Sequence, residues 1–478
     1  MSDTVRRAVL ILGVLAVLVG LGVASDSGGG GVASAASKPD EAFTASGLGV
    51  TPSGAESSAW FCAGGTGAGG DAPSTMIFTN ATPRPVTGTV TTVPLGAAAS
   101  STPVLVPADT QEAVAPTPVA TGVPLASTVV LSGGGVGVSQ VVTSPLGVSS
   151  APCASSTAGS WYFADGSTAG GDTLSLTLFN PTDTDAVVNV TFVSSGGVLA
   201  PPAYQGIEVP GNSLAVENVG LHVRNQAHVA TAVVALSGAV VATETEVAGT
   251  AGDGGTSVVL GAQSPASTWT FAQNTDVAGG TIAFHVFNPS ARLARVTVWI
   301  GLEQGVAEPL VLRVAAQSIV ALDPARVPRI PGGAPFSVTF VSAGGVGIVV
   351  DRQMSSPAGT GPPERGRVQA VPGGADRWLL PTGDPPSTAV ESLSVVNLNQ
   401  APAIVTLLMS SPRGLVTVPG FRHRRLRFGS PLIVTPTPGS PIGSVPLELV
   451  ASAPVAVEVD GLPTGSAGVA VIPALPLR

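Results

Sequence analysis

Four times along this chain a tryptophan is followed nineteen or twenty residues later by an asparagine that closes an apolar stretch. The pairs are Trp60 and Asn80, Trp161 and Asn180, Trp269 and Asn288, and Trp378 and Asn397. Successive tryptophans stand 101, 108 and 109 residues apart. Solenoid units repeat every ~20–50 residues, so a period near a hundred is a whole small domain copied. A chain of 478 residues has room for roughly three or four domains of ~100–150 residues.

Copy two shows the pattern most plainly. Leu174, Leu176 and Leu178 alternate with Ser175 and Thr177, the period of a half-buried strand. Asn180-Pro181 then breaks the strand, the asparagine side chain satisfying its own turn and the proline pre-setting the next φ. Val188, Val190 and Phe192 follow as a returning strand. Copy three repeats this with Ile282, Phe284 and Val286 in the leucine positions. Each copy ends in an expected small-residue hairpin, turning at Gly133-Gly134-Gly135, Ser237-Gly238, Gly344-Gly345 and Ala453-Pro454. About seven short strands per ~100 residues is the β-sandwich signature.

The expected fold is all-β, with tandem immunoglobulin-like sandwiches at 58–150, 158–250, 265–354 and 375–478. Residues 1–35 read as an N-terminal anchor or signal peptide, 36–57 as a linker, and the Gly/Pro-rich pieces 251–266 and 355–375 as linkers. A four-unit ring or propeller-like assembly is the alternative, though a hundred residues is long for one four-stranded blade. The tryptophan opening each copy reads as a core anchor, since such rings bury ~150–250 Å².

Arg6 and Arg7 precede an uncharged run from Ala8 to Ser25, which orients the remainder outward. The run falls between a signal-peptide core of ~7–15 residues and a full span of ~20. A single-pass membrane protein with its bulk outside the cytoplasm is expected, or a secreted one. Cys62 and Cys153, an even pair on an exported chain, read as a disulfide. Residues 1–290 carry 5 basic and 18 acidic groups, residues 291–478 carry 15 and 11. The basic C-terminal part suggests an anionic partner; no basic stripe interleaved with aromatics points to nucleic acid.

The pattern WYFADGSTAGG…LTLFNP…VVNVTF…VPGNSLAVENV resembles a family of exported actinobacterial proteins catalogued as a domain of unknown function. The resemblance spans roughly residues 58–475 and is loosest in copy four, where Asn397-Leu398-Asn399 replaces Asn-Pro. It implies an envelope location and this fold, and transfers no site, cofactor or partner.

Chemistry is sparsely signalled. The histidines are His222, His228, His285 and His423, with no HxH or HExxH spacing, so no metal or cofactor is expected. Asp165, Asp172, Asp183 and Asp185 crowd copy two without EF-hand spacing and read as solvated turn acids. GxSxG and GK[ST] motifs are missing from the sequence. Glu244 and Glu246 share a strand face at an expected exposed hairpin foot, and a hidden carboxylate pair keeps a glycan hydrolase as a remote reading.

Two constellations are candidate ligand sites. Arg422, Arg424, Arg425 and Arg427 could grip an anionic wall polymer through forked hydrogen bonds, or simply protect a charged edge strand. His285, Phe287 and Trp299 are expected to face outward and stack on sugars, or to pack on a neighbouring domain. The expected function is non-enzymatic: a structural or adhesive envelope protein, or alternatively a binder of wall carbohydrate.

Overall fold

The computed structural model describes residue 43 and residues 45–478, apart from positions 118, 250–253, 276–279, 356–364, 383–387, 412–413, 438 and 464–469. The expected anchor lies outside the described residues. Among those described, no helix is long and apolar enough to cross a membrane. Among the described residues every paired strand is antiparallel, and three short 3-10 turns punctuate the sheets.

Copy one sets the plan with eight strands: β1 (Ser58–Thr66), β2 (Ser74–Asn80), β3 (Val86–Pro94), β4 (Ser100–Val106), β5 (Thr110–Val114), β6 (Pro124–Leu131), β7 (Val136–Ser144) and β8 (Gly147–Pro152). One sheet has the order β1-β6-β3-β4 and the facing sheet β5-β2-β7-β8. Copies two and three repeat both sheets, each adding one short strand to the first. The tandem sandwich expectation is correct. The expected returning strands and hairpins are not hairpins, however. The strands on either side of the asparagine turn, and those on either side of the glycine turn, belong to facing sheets. Both turns therefore carry the chain across the core.

The repeated asparagine is what makes the first crossing possible. Asn180 Nδ2 donates to the carbonyls of Thr184 (2.7 Å) and Val209 (3.0 Å), while its Oδ1 accepts from the backbone and hydroxyl of Thr182. Asn80 and Asn288 make the same set of bonds, and Asn397 does so with the Asn399 side-chain amide donating in place of a hydroxyl. A buried amide thus satisfies the backbone groups that a strand leaving its sheet exposes. The tryptophan supports the second crossing. All four rings are buried, and Trp161, Trp269 and Trp378 donate Nε1–H to the carbonyls of Val240, Ile348 and Val455, just past the small-residue turn of each copy.

Copy four departs from the plan. Its counterparts of β6 and β7 form one strand, Leu447–Pro463, which joins everything into a nine-stranded sheet. In copies one to three the turn uses glycine at positive φ: Gly135 at 78°, Gly238 at 70°, Gly344 at 69°. Ala453-Pro454 cannot adopt that conformation cheaply, so the chain stays extended.

The four sandwiches close into a ring. Copy two meets copy one through Val258 N–H donating to Ser149 Oγ (3.0 Å), and copy three meets copy two through Arg367 N–H donating to Ser257 Oγ (2.9 Å). Ser337 Oγ donates to the Gly429 carbonyl between copies three and four (2.6 Å). The last copy returns to the first: Leu379 and Leu475 press on Gly137, where no Cβ would fit, and Val50 N–H donates to the Pro476 carbonyl. The segments read as linkers at 251–266 and 355–375 instead hold strands Gly255–Leu260 and Arg365–Gln369, counterparts of β8 at the centre of the ring. Their short apolar runs are hidden among glycine and proline, which masked the strand signal. Ala45, Leu48 and Val50 of the expected leading linker are likewise buried. The expected Cys62–Cys153 disulfide ties β1 to the residue after β8, closing 91 residues. In the chain-entropy model such a loop contributes roughly 4–5 kcal/mol.

Candidate functional site

The densest chemistry lies where copy two meets copy three. The strand Ser160–Phe163 ends at Ala164-Asp165, whose backbone N–H groups both donate to Asp351 Oδ2 of copy three (3.0 and 3.1 Å). Asp351 stands opposite His285 in the copy-three sheet. That register aims the imidazole out of its own sandwich and into the seam. His285 Nδ1 lies 2.7 Å from Asp165 Oδ2, and His228 Nδ1 lies 3.0 Å from Asp165 Oδ1. The two imidazoles meet edge to face with centroids 4.2 Å apart. Asp165 and His285 are buried, while 46 % of the His228 side chain is exposed.

Around this triad four further carboxylates meet two guanidiniums. Arg367 pairs with Glu244 (2.8 Å) and Asp351 (3.4 Å) and donates to the Asp165 carbonyl. Arg365 bridges Asp172 (3.0 Å) and Glu246 (2.8 Å). Burial alone would push Asp165 up, but His285 and His228 outweigh it and hold the carboxyl well below the usual carboxylate range. Burial dominates at Glu244, pushing it up to about 7 against the pull of Arg367, and it also raises Glu246 and Asp351. The His228 imidazole is raised by its hydrogen bond to Asp165.

These placements revise several expectations. Glu244 and Glu246 are not at an exposed hairpin foot; both are buried ion-pair partners. Asp165 and Asp172 are not solvated turn acids, whereas Asp183 and Asp185 remain exposed beside the Asn180 turn. His285 does leave its own sandwich, but copy two covers it. Phe287 is buried in an apolar cluster that also takes in Ala164, Val193 and Ala230 of copy two, and Trp299 packs edge to face on Phe428 of copy four (5.4 Å). The three therefore form no shared stacking surface: His285 and Phe287 lie in one sheet of copy three and Trp299 in the other, and neighbouring copies cover both.

Arg422, Arg424, Arg425 and Arg427 are all exposed, with Arg424 and Arg425 on the edge strand Arg424–Leu426. Among the described residues none of the four forms an ion pair, unlike Arg352, Arg365 and Arg367. The His–Asp seam was not anticipated from the sequence. A signal for it existed in the aligned copies: Asp165 stands where the others have Gly64 and Gln273, and His285 where they have Thr177 and Ser394.

Residues 134–339 match the model of a family of unknown function, DUF5719. The matched stretch holds Asp165, His228 and His285, and the expected likeness to a family of unknown function is correct over that range. No curated protein matches the chain. A solved structure titled "Crystal Structure of Thermotoga maritima 1070" is similar over 19% of this chain and 82% of its own, at 18% identity and a TM-score of 0.17.

Proposed function

We propose that this chain is a non-enzymatic, extracytoplasmic structural or adhesive protein of the cell envelope, whose ring presents a basic edge to anionic wall polymer. The observation that carries this reading is the exposed row of Arg422, Arg424, Arg425 and Arg427 at the rim of copy four. Guanidinium forks left without carboxylate partners suit bidentate binding of phosphate or carboxylate groups. The Ala8–Ser25 run and the disulfide support export. The ring supports a passive role, because its copies brace one another and offer a rigid display surface. Carbohydrate stacking is the weaker reading, since Phe287 and Trp299 are occupied within the protein.

The test is retention of the exported portion on purified anionic wall polymer, with a neutral glucan as control. Replacing all four arginines with Gln is expected to lower retention at least about tenfold and to remove its salt dependence, as loss of charge-assisted contacts demands. Equal retention by the variant would reject the reading.

A further inference from the structure

Asp165, His228 and His285 together have the chemistry of a metal site, and this inference stands apart from the arginine edge. Their ligand atoms, one carboxylate oxygen and two imidazole nitrogens, all lie within 4.8 Å of one another. His285 Nδ1 is buried and finds no hydrogen-bond partner; it sits 2.7 Å from Asp165 Oδ2 but off the line of a hydrogen bond. Two imidazole nitrogens thus converge on one carboxylate, and a small outward movement of either ring would open the space for an ion held by all three. The surroundings favour a cation as well. Asp172, Glu244, Glu246 and Asp351 pair with Arg365 and Arg367 alone, and Asp165 with the two imidazoles, so acids outnumber arginines in a seam that opens to solvent at His228. Excess buried charge of this kind is costly unless a counter-ion or protons neutralise it.

We infer that the seam between copies two and three binds one divalent transition-metal ion of the zinc class through Asp165, His228 and His285. Two imidazoles and one carboxylate select zinc, cobalt or nickel over calcium and magnesium, which take oxygen ligands. The half-exposed His228 supplies both the entry path and an open fourth position toward solvent. Asp351 buttresses the site from behind, since it accepts from the N–H groups of Ala164 and Asp165 and so fixes the backbone that carries the carboxylate. The ion would bridge two copies, with Asp165 and His228 on copy two and His285 on copy three. It would therefore fasten the ring at this seam.

The experiment treats the full exported portion with chelator and titrates it with Zn²⁺ and, separately, Co²⁺. One equivalent is expected to bind, Co²⁺ giving the strong visible absorption of a four-coordinate site, and Zn²⁺ raising the melting temperature by ligand linkage. His228→Ala, at the half-exposed ligand, is expected to keep the fold by circular dichroism and to weaken Zn²⁺ binding more than about 100-fold, beyond the 10–100-fold typical of supporting residues. His285→Ala is expected to do the same if it folds; if it does not, His228→Ala alone decides. Absence of Zn²⁺ and Co²⁺ binding by the wild type would overturn the inference, leaving a hydrogen-bonded His–Asp–His cluster. So would binding that His228→Ala leaves unchanged. Loss of polymer retention in the arginine variant would leave this site's metal titration untouched, so the two readings fail separately.

Discussion

The seams between copies two and three and between copies three and four occupy the same place in the ring and solve the same backbone problem. In each, the two N–H groups following the W-x-F strand need an acceptor from the next copy. Asp351 provides it at one seam, and Glu458 at the other, accepting from Ala272 and Gln273 (2.9 and 3.3 Å). The residues stand in equivalent register, Asp351 opposite His285 and Glu458 opposite Ser394. Their neighbourhoods then diverge. Glu458 has Arg352 as partner, and the neighbouring Asp460 is pushed well above the carboxylate range by burial and by Glu458. Burial and the Glu458 charge thus both favour the protonated form of Asp460 there. The other seam holds a larger surplus of acid and adds two imidazoles. The seam of copies one and two is the neutral version, with Gly64 against Thr243 and Thr245. Two seams thus meet the same backbone requirement with an acid from the next copy, and among the described residues only that of copies two and three gathers metal-ligating chemistry.

The largest expected effect breaks the simpler charged seam. Arg352 is buried, pairs with Glu458 and donates to Gln273 and Asn274. Arg352→Met should cost about 3–5 kcal/mol in chemical denaturation, because it strands a buried carboxylate. A second change, Glu458→Gln, should recover part of that loss. A cost under about 1 kcal/mol for Arg352→Met would show that water reaches Glu458 and that this seam is not closed.

A pH series sharpens the contrast at the other seam. Glu244 moves from 4.5 to about 7 on folding. Between those values the folded protein keeps a proton that the unfolded chain has released. Stability is therefore full below pH 4.5 and falls as pH rises toward about 7, by on the order of 3 kcal/mol for this group. Glu244→Gln should flatten that part of the stability-versus-pH curve. An unchanged slope would place the proton uptake elsewhere.

The smallest effect belongs to the neutral seam. The hydroxyls of Thr243 and Thr245 are buried and unpartnered among the described residues. Thr243→Val should be neutral or stabilising by up to about 1 kcal/mol, since it removes an unsatisfied polar group at constant shape. Clear destabilisation in thermal melts would reveal a hydrogen bond across this seam.

The disulfide and its counterpart in copy two show how far aligned copies can be read. Cys62 and Cys153 align with Phe163 and Gly261. A Cβ on Gly261 would approach the Phe163 ring to 2.7 Å, so a ring packed on glycine takes the place of the covalent bridge. Both pairs lie beside the same antiparallel bridge, Phe61 to Ala154 and Tyr162 to Ala262. The cysteine pair could be read from count and compartment. The Phe–Gly pair could not, because an apolar residue beside a tryptophan carries no sign of its partner.

By itself the sequence determined the four copies, their β class, the core role of each tryptophan and the strand-ending role of each asparagine. Those properties are local: alternation sets the strand, and a single side chain closes the turn. The tertiary structure alone decided that the turns cross between sheets, that presumed linkers are central strands, and that four sandwiches close into a ring. It alone also decided the seam chemistry. Asp165, His228 and His285 are separated by 63 and 57 residues; the fold of copy two brings the first two together, and only the docking of copy three adds His285. The same ring closure covered Phe287 and Trp299 and left the copy-four arginines exposed. Periodicity reports which way a side chain leaves its own sheet. Whether water or another copy waits there depends on contacts that no local pattern encodes.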